Sequence, residues 1–561
     1  TSTTMAAYTY LGAGSVIQIT YSQAGFGLDL WGGTSGTFAG IDLFGRIVDQ
    51  RWVTTGGSPT DLDRYKYGYD QDSNRFYKQN TVGSGLDEFY TYDSLNRLAS
   101  MQRGTLTGGP PFTGISGTPA RELDYTLDPT GNWRTYLTKT TGTTDLNQSR
   151  TANTVNEITN ITESTGPTWI VPAYDGAGNT TTLPSGLNPT IEYTASYDAW
   201  NRLTKIVDAA SSNTVAEYQY DGRTRRIVKK TYTSGTLTET RHFYWSNNWQ
   251  DLEERVGASS SAARQQVWGA RYVDELVCRD DAVPQRIYVC QDANFNVTAL
   301  VSTSATVLER FIYEPYGQPT VLDASWSPTT DSYAWVWRHQ GLAWDPEMGM
   351  YYNRMRYLHV GLGRFLSRNS LESTVNSNLY ECAVSNPMQY ANPFATEPKT
   401  SVVIFSRENR LLIPRQTSAP SAPPSPFIPP GPLPPAPPAG VLPAGNAPVP
   451  ATTNSIVCQG GTLVLQIVNV GPDRSCTIAH ETQHARDYYA RYGAALCIGV
   501  PNGTLPTGGP NFDAFLKLSE CKAFKVGKAC RERLQRTCPP ADRPIINAGI
   551  DRDNEEIDDN C

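Results

Sequence analysis

Apolar and polar residues alternate on both sides of a recurring Tyr-Asp step, in YTYDSLNRLASM, YTLDPTGNWRTY, PAYDGAGNTTTL, ASYDAWNRLTKI and YQYDGRTRRIVKK. A period of two predicts half-buried strands. The acid of the step falls at Asp70, Asp93, Asp128, Asp175, Asp198 and Asp221, with gaps of 23, 35, 47, 23 and 23 residues. Three residues further on stand Asn96, Gly131, Gly178 or Asn201, types that tolerate positive φ in a tight turn, and the Asp carboxylate can cap its own backbone. Each unit therefore predicts a hairpin. It is too small to bury its own face and must stack on its neighbours. The tyrosine stripe reads as strand packing, so the role of this region is architectural. The basic run Arg223, Arg225, Arg226, Lys229 and Lys230 reads as a solvated strand face rather than a polyanion patch.

Two later stretches break the pattern. From Pro420 to Pro450 there are 14 prolines in 31 residues, a composition that forms no core and favours polyproline II as a semi-rigid spacer; docking to a Pro-binding module is the other reading. Beyond it, Gly461 to Val470 (GTLVLQIVNV) alternates like a strand. CTIAHETQHARDYYARYG then reads as a helix stopped by Gly493, with Asp473 or Ser475 as N-cap.

That helix carries the candidate chemistry. His480, Glu481 and His484 form H-E-x-x-H, which places two imidazoles on one helical face, able to reach one Zn²⁺, with Glu481 beside the open position as general base. A catalytic site needs a third protein ligand. Six residues after His484 the chain has Ala490, so the metzincin pattern fails, and Glu520 in LKLSECKAF is the candidate. Asp487 is a candidate to orient a histidine, and Tyr488, Tyr489 or Tyr492 to donate to a developing oxyanion. The reaction implied is metal-assisted hydrolysis of a protein or peptide, with Glu481 carrying the proton. His242, His339 and His359 lie outside this region and read as structural.

Composition narrows the class. The chain has 561 residues, 39% hydrophobic, 11% aromatic and 18% charged, with 47 Gly and 39 Pro, a mixture suited to strands and turns. A net charge of −7 argues against a nucleic-acid binder; from residue 451 onward 12 basic against 13 acidic residues leave −1. No apolar run is long enough to span a bilayer. The chain opens TSTTMAAYTY, with neither Met nor a signal region, and so reads as a processed or excised piece. Seven of ten cysteines (Cys458, Cys476, Cys497, Cys521, Cys530, Cys538, Cys561) crowd the C-terminal region, which suits a disulfide-rich extracellular domain and a secreted or cell-surface location. Cys278 and Cys290 flank DDAVPQ and are candidates for a cross-strand disulfide; there is no C-x-x-C pair. The tail IDRDNEEIDDNC has six acids and one Arg in its last eleven residues; it reads as a disordered terminus or as a Ca²⁺ site.

The repeats resemble YD repeats, and RIYVCQDANFNVTALVSTSATVLERFIYEPYGQPT followed by WDPEMGMYYNRMRYLHVGLGRFLSRN resembles the Rhs-associated core found in bacterial Rhs proteins, C components of insecticidal toxin complexes and animal teneurins. The resemblance spans roughly residues 40 to 398. It implies a β-ribbon wound into a shell, closed by the core and often enclosing a C-terminal toxin. In toxin-releasing members two aspartates near the end of the core cut the chain; the matching positions here are Asn369, after Arg368, and Asn392. An amide neither ionises nor shares a proton, so the expectation is an intact chain. The C-terminal motifs are similar to gluzincin-type peptidases, in which a Glu on a later helix, here Glu520, completes the zinc site and a small residue such as Ala523 follows.

The expected architecture is mainly β with a small α+β C-terminal domain: a hairpin array over 1–285, a core over 286–398, a Pro-rich linker over 399–454 and a disulfide-rich peptidase-like domain over 455–561. The leading function is an extracellular shell carrying a zinc metallopeptidase-like effector, toxin or secreted protease. The other is a cell-surface structural or adhesive protein with a non-catalytic terminal module. An upstream or neighbouring chain is expected to complete the shell.

Overall fold

The computed structural model describes residues 4–11, 15–32, 38–283, 285–369, 378–395, the strands at 399–400, 455–459 and 462–466, and Lys528. The chain divides into two units, Thr1–Pro420 and Ser421–Cys561. In the second unit the described structure is an antiparallel hairpin of Ser455–Gln459 with Thr462–Gln466. The expected helices, the further cysteines from Cys476 on, most of the linker and the acidic tail lie outside the described residues.

The first unit is strands and turns, with two short 3-10 segments and no α-helix among the described residues. A 12-stranded sheet runs from Ala7–Leu11 to Ile158–Thr165 and a 14-stranded sheet from Ala173–Tyr174 to Pro319–Asp323. Every pairing in them is antiparallel, and nearly all join strands consecutive in the chain, as stacked hairpins require. The second sheet passes residue 286 without a break: Leu276–Asp281 pairs with Gln285–Gln291.

The turns show what the Tyr-Asp step does. Asp198 Oδ1 accepts the N–H groups of Trp200 (2.9 Å) and Arg202 (3.0 Å), and Asp93 does the same for Leu95 and Arg97, both at 2.9 Å. Two backbone donors that the turn leaves over are thereby satisfied. The third residue after the acid is left-handed, with φ of 61° at Asn96 and Asn201 and 86° at Gly131. Where a tyrosine precedes the acid, as at Tyr69, Tyr92, Tyr197 and Tyr220, it ties the turn to the previous one. Tyr220 Oη donates to the Leu203 carbonyl (2.6 Å), Tyr197 Oη to Thr180 (2.9 Å), Tyr92 Oη to Arg75 (2.6 Å) and Tyr69 Oη to Ile47 (2.8 Å). Each acceptor lies five residues past the preceding turn acid. The residue four after the acid reaches forward: Arg202 donates to the Asp221 carbonyl (2.9 Å), and Asn179 donates to the Asn201 side chain (2.9 Å). Tyr197→Phe removes one such stitch and is expected to cost about 1 kcal/mol in urea unfolding; an unchanged midpoint would refute the role assigned to the hydroxyl.

The sheets do not close on an empty interior. Three large hydrophobic clusters fill them, two built with residues of 331–369 and 378–395 and one between the sheets themselves. One joins Leu203, Ile206 and Tyr218 of the second sheet to Trp335, Met350 and Tyr357. Another joins Tyr21, Phe26 and Trp52 of the first sheet to Tyr288 and Val301 of the second. The third joins Leu98, Leu123 and Tyr136 to Tyr351, Leu358 and Phe365.

Two expectations are corrected here. Cys278 faces Tyr288 and Cys290 faces Ala299 across their ladders, so the two thiols are not opposite one another; both are free and buried, as is Cys382. Burial pushes the Cys278 and Cys382 thiols up to about 12. The basic run is not a solvated face either. Arg225 pairs with Asp221, while Arg226 and Lys229 are buried on the inner side of their strand and reach Asp345 of the core segment.

Candidate functional site in the core segment

Four short strands, Ala343–Asp345, Met350–Asn353, Arg356–His359 and Arg364–Phe365, form an antiparallel sheet inside the first unit. Beyond it, Tyr390–Ala391 pairs with Lys399–Thr400, so folded pairing continues past residue 398. The two positions singled out in sequence lie on the arms that follow these strands. Asn369 is half-buried and its N–H donates to the Leu379 carbonyl at 2.9 Å. Asn392 is buried; its carbonyl accepts the Asn353 amide at 2.8 Å and the Ala395 N–H at 3.1 Å.

One side chain gathers both arms. Arg356 is buried, lies 3.8 Å above the Phe365 ring, and donates to three carbonyls: Ala395 (2.7 Å), Leu379 (2.8 Å) and Ser367 (3.2 Å). Ser367 stands two residues before Asn369, Leu379 accepts the Asn369 N–H, and Ala395 belongs to the turn that holds Asn392. Burial pushes the Arg356 guanidinium down to about 9. Nothing in NRMRYLHVG singled out Arg356 over Arg354 two residues before. The structure separates them: Arg354 ion-pairs with buried Asp274 at 2.5 Å and bonds the Pro393 carbonyl, while Arg356 bonds carbonyls.

Arg368, next to Asn369 in the chain, is bonded elsewhere. It donates to Glu157 Oε1 (2.7 Å) and to Tyr380 Oη (3.2 Å), which clamps the end of the core onto the first sheet. Chemically the arrangement binds and positions backbone. Side-chain amides at 369 and 392 do not ionise, so the pair lacks the shared proton of a carboxylate dyad.

The two remaining core histidines are structural. His359 Nε2 lies 2.9 Å from the Pro184 carbonyl while its Nδ1 accepts the Leu362 N–H at 3.1 Å, and His339 is enclosed by the rings of Tyr313 and Tyr351. Burial pushes each down to about 4. His480, Glu481, His484, Glu520, Asp487, Tyr488 and Tyr492 all lie outside the described residues. No cluster of three metal-ligating side chains occurs among the described residues.

Comparison with known proteins agrees with this fold. The RHS Repeat family matches residues 197–237, the interval holding the turns at Asp198 and Asp221. The tRNA3(Ser)-specific nuclease WapA of Bacillus spizizenii is 24% identical over 364 residues, and the tRNA nuclease WapA of Bacillus subtilis 23% over 364 residues; each match covers 58% of this chain and 14% of the relative. The chain thus spans about a seventh of these relatives. Among solved structures, the Photorhabdus luminescens Tc holotoxin pore with a TccC3 mutation superposes with a TM-score of 0.53 at 19% identity, covering 71% of this chain and 19% of that one. At that identity the likeness is one of fold.

Taken with the stitched turns, these matches place RHS repeats at residues 197–237, within a first unit whose antiparallel β fold is similar to that of the Tc holotoxin chain.

Proposed function

We propose that the shell displays its C-terminal segment, residues 455–561, as a zinc metallopeptidase-like effector that stays covalently attached, and that the protein is secreted or held at a cell surface. The observation that carries the reading is the pairing of H-E-x-x-H at 480–484 with amides at both release positions, Asn369 and Asn392. Two imidazoles from His480 and His484 with a Glu520 carboxylate are a zinc donor set. Zinc, when bound, supplies Lewis-acid polarisation of the scissile carbonyl and a more acidic water. Glu481 would be the proton carrier of such a site, between the attacking water and the leaving amine.

The names of the relatives favour a second reading, in which the passenger cuts RNA. One preparation separates the two. Full-length protein is expected to run as a single band near 61.7 kDa and, with zinc, to degrade unfolded casein, with activity falling about a hundredfold or more in Glu481→Gln. Cleavage of tRNA with casein untouched would replace the peptidase by a nuclease. Inertness toward both would leave a structural shell with a non-catalytic module. Two fragments parting near residue 398 would refute covalent attachment.

A further inference from the structure

Between the strands 226–256 and the segment 331–347 a cleft of about 350 Å³ opens against the second sheet. Half-buried Phe243 and Trp245, from one strand, supply its accessible rings. Trp245 is held in place by its Nε1–H, which donates to the Arg226 carbonyl at 2.8 Å.

The acceptors and the donors of this cleft are unequally provided for. Its five carboxylates each pair with an Arg or Lys within 3.2 Å, so an N–H or O–H of a ligand would have to compete there with a cation. Arg264 is different. It lines the cleft with its side chain 14% exposed, and it makes no side-chain hydrogen bond among the described residues. Asp281 and Glu254 lie 3.7 and 3.8 Å from it, beyond hydrogen-bond reach, and other arginines already hold them: Arg279 bonds Asp281 at 2.8 Å and Arg241 bonds Glu254 at 2.6 Å. The guanidinium thus presents a fork of N–H donors without acceptors. The two anions beside it disfavour a third, so the matching acceptor is a neutral carbonyl. Charge complementarity therefore calls for a ligand with apolar rings, with carbonyls, and with few donors and no charge.

Spacing narrows the class further. Phe243 stands opposite Glu254, and Glu254 opposite Arg264, on three successive antiparallel strands. Ring and fork therefore leave the same face of the sheet, about 9.6 Å apart at the usual strand spacing. A polyproline II chain repeats every three residues, about 9.3 Å, and its prolines carry rings and carbonyls but no N–H. We infer that this cleft seats a proline-rich peptide of a partner protein in polyproline II form, with a proline ring against Phe243 and Trp245 and a carbonyl of the next turn on Arg264. The site belongs to the first unit and does not rest on the reading of residues 455–561.

The test is a tryptophan-fluorescence titration of the full-length protein with a terminally blocked peptide, PPSPFIPPGPLPPAPP, which has the sequence of residues 423–438 and no tryptophan, beside the same peptide with alanine at every proline. It is run on the parent chain and on one whose residues 420–450 are replaced by glycine and serine. The proline peptide is expected to give a saturable change in both chains, and the alanine peptide none. Arg264→Met should weaken binding about tenfold, and Thr238→Trp, an exposed rim position where a new indole fills the mouth, should abolish it. Thermal unfolding checks that both variants fold; should Arg264→Met not fold, Thr238→Trp alone decides. No change with the proline peptide in either chain, equal binding of the alanine peptide, or undiminished binding in Thr238→Trp would each overturn the inference. A response confined to the chain with residues 420–450 replaced would overturn a partner protein as the occupant.

Discussion

Asp345→Ala should unfold the shell or destabilise it by about 3–5 kcal/mol, the cost of stranding buried charge. The carboxylate is buried and accepts from Arg226, while Lys229 Nζ lies 2.9 Å away. Burial alone would raise its pKa, yet the two cations hold it below the usual carboxylate range. Without it, Arg226 and Lys229 face each other in an apolar interior. These bonds also join strand 226–233 to the core segment more than a hundred residues later. Arg226→Met, Lys229→Met and Glu347→Gln in the Asp345→Leu background should recover much of the loss, because no buried charge of the cluster is then left stranded. Chemical denaturation of both variants checks this; an Asp345→Ala protein as stable as the parent would refute the role of the cluster.

The second large effect is with acid. His339 and His359 have folded values pushed by burial from 6.5 down to about 4, so between those limits the unfolded chain binds more protons than the folded one. Stability from these groups is full above pH 6.5 and is lost as the pH falls toward 4, by about 3 kcal/mol for each histidine. At His359 the added proton would sit on Nδ1, where the Leu362 N–H now points, with the Arg150 charge also opposing it. At His339, Asp292 favours the proton and Lys78 opposes it. Glu309 works the other way. Burial raises it to about 7, so its contribution is present in acid and lost as the pH rises through that value. The total slope is therefore a difference, and a variant isolates one part. His359→Gln should flatten the decline of stability between pH 6.5 and 4 by about half of the histidine contribution, measured as urea midpoints across that range; an unaltered slope would refute it.

The turn acids and the left-handed residue three positions later were legible because both are local chemistry, readable in a stretch of five residues. The irregular gaps hid further turns of the same build. Asn153, inside the 47-residue gap, uses its amide oxygen to accept Val155 and Glu157 N–H groups, and Ser246 uses its hydroxyl for Asn248 and Gln250. At the last of these Trp245 replaces the tyrosine and keeps the stitch through its indole nitrogen. A search for the letters Tyr-Asp misses turns defined by an acceptor and a donor. The basic run was misjudged for a different reason: strand alternation puts Arg226 on the inner face, but the acid that makes this tolerable is remote in sequence. The positions of Asn369 and Asn392 were legible as letters, whereas Arg356, which draws their arms together, has contacts that exist only after folding.

The stitches also have a mechanical meaning. Each aromatic and each Arg or Asn reaches one turn back or one turn forward and no further, so load on the array is borne by neighbours in series. A chain pulled from its N-terminal end would have to break these stitches together with the longer ties, such as the cluster that joins Tyr21, Phe26 and Trp52 to Tyr288 and Val301. With 23 residues in the commonest repeat, each freed unit would pay out roughly 8 nm of extended backbone.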